Sequence, residues 1–280
     1  MRRLIRTIDA VATNDGDGVK INRIAGRHLN SVLDPFLLVD EINSDDASDY
    51  SGGFPEHPHR GFETITYMKA GRMHHRDHMG NEGIIESGDA QWMTAGRGVL
   101  HSEMPEQESG QLHGFQVWLN LPASEKMKPA AYRDFRSANI TELNLSGGGR
   151  VRVIAGEVEV ESKKLMGVLP TLTTEPVVLD VQLGPSESVD LIFKSENPAF
   201  AYIYDGLINE NTSDEIKLHQ VAIFSNGDRL QLQAGLSGAN VLVLSGRPLN
   251  EPIVQHGPFV MNSSEEIEQA INDYQQQQLV

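Results

Sequence analysis

The sequence predicts an all-β protein built as two tandem barrels or sandwiches, closed by one helix. Three observations carry this. Apolar and polar side chains alternate with a period of two in many short runs, turn residues recur at close spacing between the runs, and the strand pattern resumes after a Pro-punctuated connector.

Taken in order, Asn14-Asp15-Gly16-Asp17-Gly18 is a turn cluster and Val19–Ile24 alternates as a strand does. Pro35-Phe36-Leu37-Leu38-Val39-Asp40-Glu41 is a continuous apolar run ending in acids, which fits a strand buried on both sides. After a solvated loop at 43–49 comes Glu56-His57-Pro58-His59-Arg60-Gly61-Phe62-Glu63. From Glu63 onward Ile65 and Tyr67 share one parity and Thr64 and Thr66 the other, which predicts that the face of His59 continues as an apolar interior. Met73–Met79 reads as a polar strand and a solvated edge, its His74, His75 and His78 lying among charges, with a hairpin at Gly80–Gly83. Strands follow at Gln91–Thr94 and Gly114–Asn120, and His113 at the entrance of the latter caps a turn.

Leu121–Pro129 is the connector, which divides the chain into a first barrel at 1–130, a second at 131–250 and a tail at 251–280. The second half offers strands at 151–155, 177–181, 189–193, 199–204, 221–224, 230–233 and 240–244, with a hairpin turn at Ser225–Asp228. In the tail, cap residues and acids precede Ile267, Ala270, Ile271 and Tyr274 at helical spacing, so an amphipathic helix packs back on a barrel and Gln275–Gln278 fray.

Composition excludes several classes. The 280 residues are 39% hydrophobic and 22% charged, which is ordinary for a globular protein. A formal charge of -16 and a pI near 5.0 leave no basic surface to neutralise phosphates, so direct nucleic-acid binding and an anionic membrane partner are not expected. There is no Cys, which removes disulfides, thiolate zinc and thiol nucleophiles and leaves His and carboxylate as metal ligands. No segment has secretory or membrane-spanning character, and a cytoplasmic monomer is the expectation.

The chemistry sits in two short stretches. Residues two apart on a strand share a face, so His57 and His59 point together, as do His101 and Glu103 in Leu100-His101-Ser102-Glu103. If the two stretches are neighbouring strands, three imidazoles and a carboxylate meet at one point. That donor set suits one catalytic divalent ion, Fe(II) above all, with Mn, Co, Ni, Cu or Zn as alternatives. Glu63 shares the parity of His57 and His59, so it either takes the fourth position in place of Glu103 or orients a ligating His. The second half has no His-x-His; His219 and His256 stand alone.

The chain resembles the pirin family of bicupins. The matching stretches are Gly53-Phe54-Pro55-Glu56-His57-Pro58-His59-Arg60-Gly61-Phe62-Glu63-Thr64, the run Gly88–Met104 with its Gln91-Trp92-Met93-Thr94-Ala95-Gly96 and His101-Ser102-Glu103, Trp118-Leu119-Asn120-Leu121-Pro122, and Gly257-Pro258-Phe259-Val260-Met261-Asn262. The resemblance implies two cupin (jelly-roll) β-barrels packed face to face, with metal in the N-terminal barrel only. It also implies His57, His59, His101 and Glu103 as the ligands, usually to iron. Some pirins cleave the flavonol quercetin with O₂, and eukaryotic members are described as nuclear transcriptional co-regulators.

The expected function is therefore a mononuclear metal-dependent dioxygenase of quercetin 2,3-dioxygenase type, acting on a flavonol or similar enolisable aromatic. Glu103 would accept the substrate proton, and Phe54, Ile65, Tyr67 and Trp92 would form the apolar wall. The rival expectation is an iron-dependent redox-sensing regulator acting through a protein partner without turnover.

Overall fold

The computed structural model describes residues 1–26, 29–210 and 214–280, and its strands pair antiparallel. They form two compact units, one of Val11–Ser137 with Leu249–Val280, the other of Met1–Ala10 with Ala138–Pro248. The expected divisions at 130 and 250 followed loop composition, whereas strand pairing decides which residues pack together. Ala131–Phe135 pairs with Ala90–Thr94 and stays in the first unit, while Leu4–Asp9 pairs with Gln220–Phe224 and joins the second.

The first unit is a sandwich. Its seven-stranded sheet runs in the order Ala131–Phe135, Ala90–Thr94, Phe62–Ala70, Leu112–Asn120, Phe36–Ser44, Val19–Ala25, Val11–Asp15. Its four-stranded sheet runs Phe54–His59, Val99–Pro105, Arg72–Asp77, Glu82–Glu86. Ile21, Ile42, Met68 and Leu112 of the larger sheet pack with Met73 and Ile85 of the smaller one, each burial stabilising by about 1.5–3 kcal/mol.

The chain leaves the small sheet for the large one between His59 and Phe62. Gly61 turns it with φ +90°, and a Cβ there would lie 1.9 Å from the carbonyl oxygen of Val260, so both the conformation and the space demand glycine. The parity expected to continue from His59 therefore does not carry over. Thr66 and Met68 line the space between the sheets, while Glu63, Ile65 and Tyr67 point away from it. Sequence periodicity is reliable within a strand and fails across such a turn.

The tail belongs to the first unit. Ser263 and Glu266 form a capping box at the start of the helix Ser264–Gln275, and Ile267 and Ala270 pack against Phe259, Met261 and Leu100. Gln275–Gln278 do not end the chain loosely as expected. Leu279 is buried in the same cluster, and its carbonyl oxygen would stand 2.2 Å from a Cβ at Gly98.

The second unit fills its interior. Val151, Val181, Val241 and Ile203 stand in register across four strands, and Val153, Leu179 and Val243 form the next row. The runs at 230–233 and 240–244 belong to one strand, Arg229–Ser245. Ser225–Asp228 does not make the expected hairpin, because the strands it joins lie on opposite sides of Ala199–Glu210. No helix among the described residues is long and apolar enough to cross a membrane.

Candidate metal centre

In the four-stranded sheet the central strand Val99–Pro105 sets His101 opposite His57 of Phe54–His59, and a register shift brings Glu103 opposite Phe54. His57, His59 and His101 converge, with one ring nitrogen of each within 4.8 Å of the others, and Glu103 joins through a second group of His75, His101 and Glu103 at the same limit. Five side chains thus form one continuous cluster sharing His101.

His57 donates from Nδ1 to the carbonyl of Pro55 at 2.8 Å, which leaves a lone pair on Nε2. That Nε2 lies 3.0 Å from Nε2 of His59. His101 is 1% exposed, and neither of its ring nitrogens has a hydrogen-bond partner. Burial first, then mutual repulsion, holds the pKa of His59 and of His101 well below the ordinary 6.5, and burial lowers that of His57. All three are neutral at pH 7. Neutral imidazoles with unmet nitrogens beside a carboxylate are a donor set that can bind a metal ion. The residues present fit one.

Burial pushes Glu103 up to about 7, partly offset by Thr66. Its Oε2 accepts from Gln116 Nε2 at 3.0 Å, and the single Thr66 hydroxyl hydrogen is shared between Gln116 Oε1 at 2.7 Å and Glu103 Oε1 at 3.3 Å. Glu63 lies outside the cluster. It accepts from Lys128 Nζ at 2.8 Å on the far side of its sheet, as its parity with Ile65 dictates.

A cavity of about 770 Å³ between the two sheets reaches His57, His59 and Glu103, and is walled by Phe54, Leu38, Met68, Phe115 and Trp118. Of the expected apolar wall only Phe54 lies there. Ile65 and Tyr67 are core, and Trp92 is not among the lining residues. Thr66 and Gln116, which contact Glu103, were not foreseen. Alternation within Phe62–Ala70 and Leu112–Asn120, started from the cavity side, would have found them.

The other histidines separate. His113 is buried and bonds Glu41 of the neighbouring strand Phe36–Ser44 at 3.0 Å instead of capping a turn. His74 bonds Glu82 at 2.9 Å, and Nδ1 of His78 accepts from the Leu100 amide. His75 corrects the expectation of a solvated edge: Met73 and His75 alternate inward and are buried, with His75 0% exposed.

An antiparallel all-β chain of two jelly-roll-like domains, one of them holding a His/Glu cluster at the wall of an inner cavity, defines a bicupin. Residues 18–119 match the family model described as Pirin, and residues 178–280 match the model for the pirin C-terminal cupin domain. A Vibrio cholerae protein named provisionally as a quercetin 2,3-dioxygenase is 46% identical over 98% of this chain and 96% of its own length. Human pirin is 39% identical over 93% of this chain and 88% of its own. The 1.88 Å crystal structure of quercetin 2,3-dioxygenase from Acinetobacter baumannii superposes with a TM-score of 0.91 at 32% identity, covering 100% of this chain and 98% of that one. The chain belongs to the pirin family.

Proposed function

We propose that this protein is a mononuclear metal-dependent dioxygenase that cleaves a flavonol or similar enolisable aromatic with O₂. The observation that carries the reading is a cluster in which the neutral imidazoles of His57, His59 and His101 converge and buried Glu103 joins through His101, with His57, His59 and Glu103 lining a largely apolar cavity large enough for such a ring system. The relatives named for quercetin 2,3-dioxygenase support the same substrate class. The proposed ligands are His57, His59, His101 and Glu103, and the proposed ion is Fe(II), to which a mixed imidazole and carboxylate set with open positions is suited.

A divalent ion held by His57, His59, His101 and Glu103 would supply Lewis acidity that lowers the pKa of a substrate hydroxyl. The chain's own residues do the rest. Glu103 accepts the hydroxyl proton on a carboxylate oxygen, and Thr66 and Gln116 fix which way that carboxylate points. Phe54, Phe115 and Trp118 orient the ring and exclude water.

The test is oxygen uptake with quercetin by iron-loaded protein. The parent is expected to consume oxygen, and His101→Ala is expected to lose both its metal and its turnover. Unchanged uptake by His101→Ala would reject this function.

A further inference from the structure

One face of the four-stranded sheet forms a grid. His101 stands between His57 on one neighbouring strand and Asp77 on the other, and Glu103 stands between Phe54 and His75. The proposed ligand set leaves His75 without a role.

His75 is fully enclosed, yet neither ring nitrogen has a hydrogen-bond partner. Leaving a polar group in that state costs about 1–3 kcal/mol. The ring is nonetheless held firmly. It stacks on Tyr132 with centroids 4.5 Å apart and planes at 25°, and the Tyr132 hydroxyl accepts from Gln91 Nε2 at 3.0 Å. On another side Nε2 faces Asp77 Oδ2 at 3.7 Å, beyond hydrogen-bond length. Asp77 itself is fixed, accepting from the amides of Met79 and Asn81 and from Asn81 Nδ2. Toward the cavity side, one ring nitrogen of His75 lies within 4.8 Å of donor atoms of both His101 and Glu103. Packing alone does not explain a histidine here, since a phenylalanine would stack on Tyr132 as well and leave no nitrogen unmet.

We infer that His75 is a positioning residue of the metal centre: held by Tyr132 with the fixed Asp77 carboxylate behind it, its ring stands 5.3 Å from that of His101, and its unmet nitrogens would bond His101 or Glu103 once these turn to ligate. Ligating side chains are oriented by partners of this kind, and loss of such a partner typically weakens metal affinity about 10–100-fold. The inference rests on the proposed metal site, and the test separates the two.

His75→Phe keeps the ring and its stack and removes both nitrogens, whereas His75→Asn returns one polar amide. Chelator-stripped parent and variants are titrated with Co(II), reading affinity and the visible absorption bands. The parent is expected to bind one Co(II). His75→Phe is expected to bind about 10–100-fold more weakly with altered bands, and His75→Asn to recover part of the loss. Parent-like affinity and spectrum in His75→Phe would overturn the inference and leave the metal site standing. A parent that binds no Co(II) would overturn the metal site and this inference together. If His75→Phe loses its β-sheet circular dichroism, folded His75→Asn decides: affinity weaker than the parent's with altered bands supports the role, and parent-like affinity and bands end it.

Discussion

Glu103 shows what burying a carboxylate costs the fold. Its pKa of about 7 stands above the ordinary 4.5 because the folded protein buries the charge. A group whose folded pKa is raised contributes stability that is fully present below its unfolded value and is lost as pH rises through the folded value. For the metal-free protein this contribution therefore falls between about pH 4.5 and 7, by about 3 kcal/mol for a shift of that size. Glu103→Gln has no charge to bury, so its urea stability is expected to gain on the parent across that window and to match it near pH 4.5. A constant difference between the two would refute the buried-carboxylate account. At this scale the sequence was informative where residues lay on one strand. Parity alone sets His57 with His59 and His101 with Glu103, and each pair falls within one group of the His/Glu cluster. Glu63 was left open because its face is set by Gly61, and a turn into another sheet cannot be seen in spacing.

At the scale of elements, the tail and the strands that carry the His/Glu cluster are held by shared bonds. Arg60, next to His59 and 4% exposed, donates to Asp273 of the C-terminal helix at 2.6 Å, to the carbonyl of Arg97, and to the carbonyl of Leu279 at 3.4 Å. Lys126, also buried, donates to the carbonyls of Gly61 and Val260 at 2.7 and 3.0 Å and to Asn120 Oδ1 at 2.7 Å. Removing one partner of a buried charged network leaves the others unmet. Arg60→Met is expected to lower stability by about 3 kcal/mol or more, and Asp273→Asn by about 1 kcal/mol, with unchanged slopes in urea unfolding. Equal, small effects would mean that the tail is not tied to the site strands. The helix itself was legible from its cap and its 267, 270, 271, 274 spacing. Docking of Leu279 was not, because one apolar residue after a Gln run carries no periodicity.

At the scale of the whole molecule, the two units share a fold class and differ in what fills them. The first keeps a cavity beside its histidines, while aliphatic rows from neighbouring strands close the interior of the second. The filled interior of the second unit is legible in its alternating runs, since Val151, Val153, Leu179, Val181, Val241 and Val243 are the inward half of their strands. Which unit claims the first ten residues was hidden, because Leu4–Asp9 finds its partner more than two hundred residues away at Gln220–Phe224. Anomalous diffraction at the absorption edge of the bound metal tests the central claim most directly. The account predicts one ion per chain, in the first unit, bound by His57, His59, His101 and Glu103. An ion beside Glu63 or in the second unit, or crystals of metal-supplemented protein with no anomalous peak at the cluster, would contradict it.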